Sequence, residues 1–91
     1  MHGEYKTPGG KLVVVDLEVS GGRLSQVQVS GDFFLEPEEA LDRINAALEG
    51  LPATSDEPGI AQAVRQATQD AEMSGCSPEA IAVAVKRALS S

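Results

Sequence analysis

From Lys11 to Phe34 the chain reads KLVVVDLEVSGGRLSQVQVSGDFF, and no other stretch limits the fold as strongly. Val13, Val15, Leu17 and Val19 recur at every second position, so they line one face of an extended strand. The opposite face carries Leu12, Val14, Asp16 and Glu18 and turns polar towards its far end. Gly21-Gly22 supplies two residues free to take positive φ, as the type I′ or II′ turn of a tight hairpin requires. On the return strand Val27 and Val29 oppose Gln26 and Gln28, while Leu24 is out of phase and is read as covering the hairpin end. A pattern apolar on one side suits an antiparallel sheet with helices on one face and water on the other.

The flanking segments complete the layout. Residues 1–10 are polar, and Glu4-Tyr5-Lys6 suits a short edge strand before a tight Pro8-Gly9-Gly10 loop. Gly31-Asp32 redirects the chain into Phe33-Phe34-Leu35. Pro37 suits the first position of a helix whose buried stripe is Leu41, Ile44 and Leu48, ended by Gly50 and Pro52. After a loop over 51–58, a second helix starts near Pro58 with Ile60, Val64, Ala67 and Ala71 at helical spacing, and Met73-Ser74-Gly75 closes it. Ser77 caps a third helix, with Pro78 as its first residue and Ile81, Val85, Ala88 and Leu89 as its buried side. Strands first and helices after predict an α+β fold: a small antiparallel β-meander of about three strands packed against three helices, forming one domain over residues 1–91.

Fourteen acids against seven bases leave a net charge of −7, which argues against nucleic acid and anionic membrane as partners. No apolar run approaches the ~18 residues that a membrane span needs. A single cysteine, Cys76, allows no internal disulfide, and with no signal-peptide pattern at the N-terminus the expected compartment is the cytoplasm. Reactive side chains are scarce. The one histidine, His2, falls in a segment expected to fray, and one cysteine with one remote histidine cannot build a metal cluster. Cys76 precedes a helix N-cap, which could lower a thiol pKa, but a small half-buried residue in a Gly-Cys-Ser turn accounts for it much better. Asp32 suits a corner carboxylate that accepts backbone N–H bonds. Lys6 and Lys11 flank Pro8-Gly9-Gly10, a combination of charge and accessible amides that suits an anion. Phe33 and Phe34 are expected as core or interface anchors. On these residues alone the chain is an interaction or accessory domain that is not catalytic by itself.

Residues 4–48 resemble the C-terminal accessory domain of lipoate–protein ligases, which in some organisms is a free-standing small subunit. The resemblance lies in Tyr5-Lys6-x-Pro8-Gly9-Gly10-Lys11-Leu12, the hairpin, Gly31-Asp32-Phe33-Phe34-Leu35 and Pro37-Glu38-Glu39. It departs from the family at Glu36, where an aromatic residue often stands. The resemblance implies a heterodimer with a catalytic large subunit that holds lipoate, ATP and Mg, with no cofactor on this chain alone. That subunit forms lipoyl-AMP and passes the lipoyl group to a lysine of lipoyl-domain acceptor proteins, and the small subunit is needed for adenylation. It also implies Lys6, Pro8, Gly9, Gly10, Lys11, Asp32, Phe33 and Phe34 as residues at the partner interface or near the active site. The family fold is similar to that of iron–sulfur scaffold and sulfur-acceptor proteins. Such a protein is one alternative, disfavoured by the single cysteine, and a generic protein-interaction domain is another.

Overall fold

The structure is a computed structural model and describes residues 1–90. Strands β1 (His2–Lys6), β2 (Leu12–Ser20) and β3 (Arg23–Gly31) form an antiparallel meander in the order β1-β2-β3. Gly21 and Gly22 take φ of +59° and +77°, so the hairpin closes through two left-handed residues. Helices α1 (Glu39–Leu48), α2 (Glu57–Ala67) and α3 (Pro78–Leu89) cover one face: α3 lies over β1 and β2, α1 over β3, and α2 packs on both other helices. The expected α+β layout is therefore present, with additions.

The first addition is a second sheet. Phe34–Glu36 (β4) pairs antiparallel with Glu72–Ser74 (β5) in the register Phe34↔Ser74, Leu35↔Met73, Glu36↔Glu72. Met73 and Ser74 thus belong to a strand rather than a helix end, and Ala71 lies beyond α2, which stops at Ala67. Pro37 stands outside α1, which begins two residues later with Glu38 as an N-cap that makes no side-chain bond. Of the expected stripe, Ile44 and Leu48 are buried and are joined by Ala40, while Leu41 is only half-buried.

Leu24 is buried because β3 carries a bulge. The β2–β3 register shifts between Asp16 and Glu18, and Gln26 adopts φ +49°. The extra residue returns Leu24 to the face of Val27 and Val29, so all three reach the core. His2 does not fray. It pairs with Asp16 in β1–β2, and its ring nitrogens lie 2.7 Å from Asp16 Oδ1 and 2.6 Å from Glu4 Oε2. These hydrogen bonds to Glu4 and then Asp16 raise its pKa above the ordinary 6.5.

The caps of α2 and α3 follow from their sequences. Asp56 Oδ1 accepts from Gly59 N–H at 2.8 Å, and Ser77 Oγ accepts from Ala80 N–H at 3.0 Å. What seats α3 is less obvious. Ala80, Ala84 and Ala88 recur every fourth residue and are buried against β1 and β2. A Cβ placed on Gly3 would stand 2.3 Å from both Ala84 O and Ala88 N. Helix backbone and strand backbone are therefore in direct contact, which only small residues on one side and glycine on the other permit. Around this seam Val13, Val15, Ile44, Ile60, Val64, Ile81 and Val85 form the fully buried core.

Gly3→Ala is predicted to lower stability by about 3 kcal/mol, because α3 must lift from β1 to admit one methyl group. A thermal melt of the variant checks this, and an unchanged midpoint would contradict the close contact.

Candidate functional site

Three connections meet at one end of the meander: the β1–β2 loop over 7–11, the corner over 31–33 that follows β3, and the β5–α3 turn over 75–77. The loop is closed from within. Thr7 N–H donates to Lys11 O at 2.8 Å, Thr7 Oγ1 to the same oxygen at 3.0 Å, and Gly10 N–H to Thr7 O at 2.9 Å. Of the two glycine amides read as accessible, that of Gly10 is thus occupied, and only Gly9 N–H stays without a partner among the described residues. Thr7 Oγ1 also reaches Gly75 O at 3.5 Å, and the Lys11 stem passes so close to Gly75 that a Cβ there would fall 2.5 Å from Lys11 Cγ. Gly75 has φ +83°, so both space and backbone favour glycine.

Asp32 joins the corner to this loop. Its Oδ1 accepts from Leu12 N–H at 2.7 Å, and its own N–H donates to Leu12 O at 3.3 Å. The carboxylate acts as the corner fixative expected of it, but across the sheet rather than on its sequence neighbours. The two phenylalanines then separate. Phe33 is half-buried and packs on the core, whereas Phe34 is 75 % exposed and is not a core residue.

Charge at this end is unevenly matched. Arg23 donates to Gly50 O, Arg43 to Asp70, Arg65 to Glu79, Lys86 to Ser55 O and Arg87 to Glu4 O. Lys6 and Lys11 alone among the seven bases make no side-chain hydrogen bond or ion pair with the described residues, and both are exposed. The structure thus brings Lys6, Pro8, Gly9, Gly10, Lys11 and Asp32 together at one end, with Phe33 and Phe34 leading away from it along β4. Two free ammonium groups and the Gly9 amide on an exposed loop can receive an anion. Cys76 borders the same loop with its Sγ directed to Ser77 O at 3.8 Å. Burial pushes its thiol up to about 11, so it is protonated near neutral pH and is not an activated nucleophile.

No family model matches the chain. Lipoate-protein ligase A subunit 2 of Thermoplasma acidophilum is 38% identical over 39 residues, which is 43% of this chain and 42% of that relative. The aligned stretch thus spans less than half of the relative's length. A structure of an archaeal lipoylation system, a bi-partite lipoate protein ligase and its E2 lipoyl domain from the same organism, contains a chain of the same fold. It superposes with a TM-score of 0.66 at 27% identity, covering 98% of this chain and 97% of that one. The chain is similar to subunit 2 of a lipoate–protein ligase. The resemblance drawn from residues 4–48 therefore extends in structure to the helical half.

Thr7 and Gly75 brace the lysine loop, a role the sequence does not show: Gly75 reads there only as a helix end, and its residue type, free to take left-handed φ, is the one hint. Asp32→Ala is predicted to cost about 1 kcal/mol, since it leaves Leu12 N–H to water, and to lower Tm by ~4–8 °C. Asp32→Asn, which keeps an acceptor, is predicted to lose less. Equal melting of all three proteins would contradict the role of Asp32 as the corner tie.

Proposed function

We propose that this chain is the accessory subunit of a two-component lipoate–protein ligase. It works with a catalytic large subunit in the ATP-dependent activation of lipoate to lipoyl-AMP, before the lipoyl group passes to a lysine of lipoyl domains. The observation that carries this reading is the end-to-end structural match to a chain of a bi-partite ligase. The poverty of this chain in catalytic groups supports the division of labour: its histidine is engaged with Glu4 and Asp16, and its thiol is held protonated. In this reading lipoate, ATP and Mg belong to the catalytic subunit, and the two meet in the cytoplasm. Among the described residues no helix is long and apolar enough to cross a membrane.

The lysine loop is the part of this chain suited to assist adenylation. As the lipoate carboxylate attacks the α-phosphorus of ATP and pyrophosphate leaves, negative charge builds on the α-phosphate and pyrophosphate oxygens, and donors aimed at that charge stabilise it. Lys6, Lys11 and Gly9 N–H are donors of the right kind, fixed on a loop braced by Thr7, Gly75 and Asp32. The ammonium groups need not break any internal ion pair to serve there. The chain's only cysteine is half-buried with a raised pKa, which weighs against the sulfur-acceptor alternative.

Lipoate-dependent ATP–pyrophosphate exchange by the cognate large subunit tests the reading. Exchange is predicted only when both chains are present. Lys6→Ala or Lys11→Ala is predicted to lower it by ~10² with complex formation unchanged, the loss typical of removing one donor to developing charge. A large subunit fully active alone would contradict the accessory role. Lysine variants within a factor of two of wild type would contradict the part given to the loop.

A further inference from the structure

Phe34 is the most exposed large apolar side chain of the described residues, at 75 %, and it stands on a strand rather than in a frayed tail. On one side it borders a groove floored by Phe33 and Leu41 and rimmed by Glu38, Glu39 and Asp42. On its other side stand Glu36 and Glu72, cross-strand partners in the β4–β5 sheet. The pairing of carboxylates elsewhere makes this grouping distinctive. Of the fourteen acids, only Glu36, Glu38, Glu39, Asp42, Glu57 and Glu72 form no ion pair and no side-chain hydrogen bond among the described residues. All but Glu57 line the two hollows that Phe34 borders. The nearest base on α1, Arg43, is committed to Asp70.

An acidic rim without ion-pair partners around an exposed aromatic limits what can cover it. Nucleic acid and anionic lipid are repelled. A second copy of this chain would bring acids onto acids, with −7 on each molecule. A bound metal ion does not account for the rim either, because no three His, Cys, Asp or Glu among the described residues converge closely enough to hold one. The remaining occupant is a protein segment that is apolar at its centre and cationic at its edge. Arginine fits best, since its guanidinium can lie on the Phe34 ring while its N–H groups meet a carboxylate.

We propose that the Phe34 groove docks a Lys/Arg-bearing segment of the catalytic subunit. This rests on the accessory-subunit reading above and adds a second contact surface of opposite charge to the lysine loop. One end of the chain then offers cations to an anionic substrate, while the adjoining β4–α1 face takes cations from the partner. Glu36, paired across the strands with Glu72, belongs to this acidic face.

Calorimetric titration of the cognate catalytic subunit with this chain, at low and at high salt, tests the proposal. Phe34→Ser is predicted to weaken binding at least about tenfold, as expected for a central aromatic anchor. The double variant Glu39→Lys/Asp42→Lys is predicted to weaken it similarly and to flatten its salt dependence. Both substitutions are on the surface, so melting within a few degrees of wild type serves as the folding control. Wild-type binding that neither variant disturbs would overturn the groove as a docking site and leave the accessory-subunit reading intact. Absence of wild-type binding would overturn that reading and the groove with it. A dimer of this chain dispersed by Phe34→Ser would overturn the proposed occupant in favour of a second copy.

Discussion

The backbone of α3 rests directly on the backbone of β1, and the rest of the molecule is arranged around that seam. Gly3 has no side chain to hold the helix off, and Ala84 and Ala88 present only methyl groups to the strand. Because the two elements run antiparallel, the contact at Ala88 and Ala84 brings the start of α3 to the far end of β1. Tyr5 and Thr7 there lie beside Ser77, Ala80 and Val83. The same seam sets Arg87 over the Tyr5 ring, 5.0 Å from its centroid, and within 3.0 Å of Glu4 O. A chain with three aromatic residues and many alanines cannot fill a thick core. It packs by close approach instead, at a backbone separation that larger side chains would not allow.

Function follows from what this approach gathers. Once α3 is seated, the β5–α3 turn stands against the β1–β2 loop, and Thr7 and Lys11 close on Gly75. Asp32 ties the loop to the corner, so three connections that are remote in sequence become one braced surface. All the free charges but Glu57, at the start of α2, are left beside that brace. The two unpaired lysines stand at the end of β1 and on the loop, and five unpaired carboxylates lie beyond the corner. Like charges left together cost free energy in the isolated chain, though water and salt screen them. Their segregation by sign suits a subunit that completes its electrostatics with a partner.

Much of this was legible in the residues. The alternation of Val13, Val15 and Leu17, the Gly21-Gly22 turn and the Ser77-Pro78 start of α3 each carry a local physical signal, and each element formed as expected. Asp32 was legible as a corner carboxylate because its chemistry is that of an N–H acceptor, although its actual partner, Leu12, lies twenty positions away. The β4–β5 sheet was not legible. Three residues are too few to show a period of two, and Glu36 meets Glu72 only through the tertiary fold. The bulge at Gln26 was equally hidden, since a residue with a side chain at φ +49° has no composition signal. The lysines were visible as a pair, but their lack of internal partners could be learned only by finding where the other five bases go.

The claim that one braced end of the chain meets a catalytic partner is tested most directly by amide hydrogen exchange on this protein, alone and with its cognate large subunit. The account predicts added protection over residues 7–12 and 31–42, with little change at the Gly21-Gly22 turn or in the loop over 51–56 at the opposite end of the meander. Protection confined to that hairpin end and loop, with residues 7–12 and 31–42 exchanging as in the free chain, would contradict it.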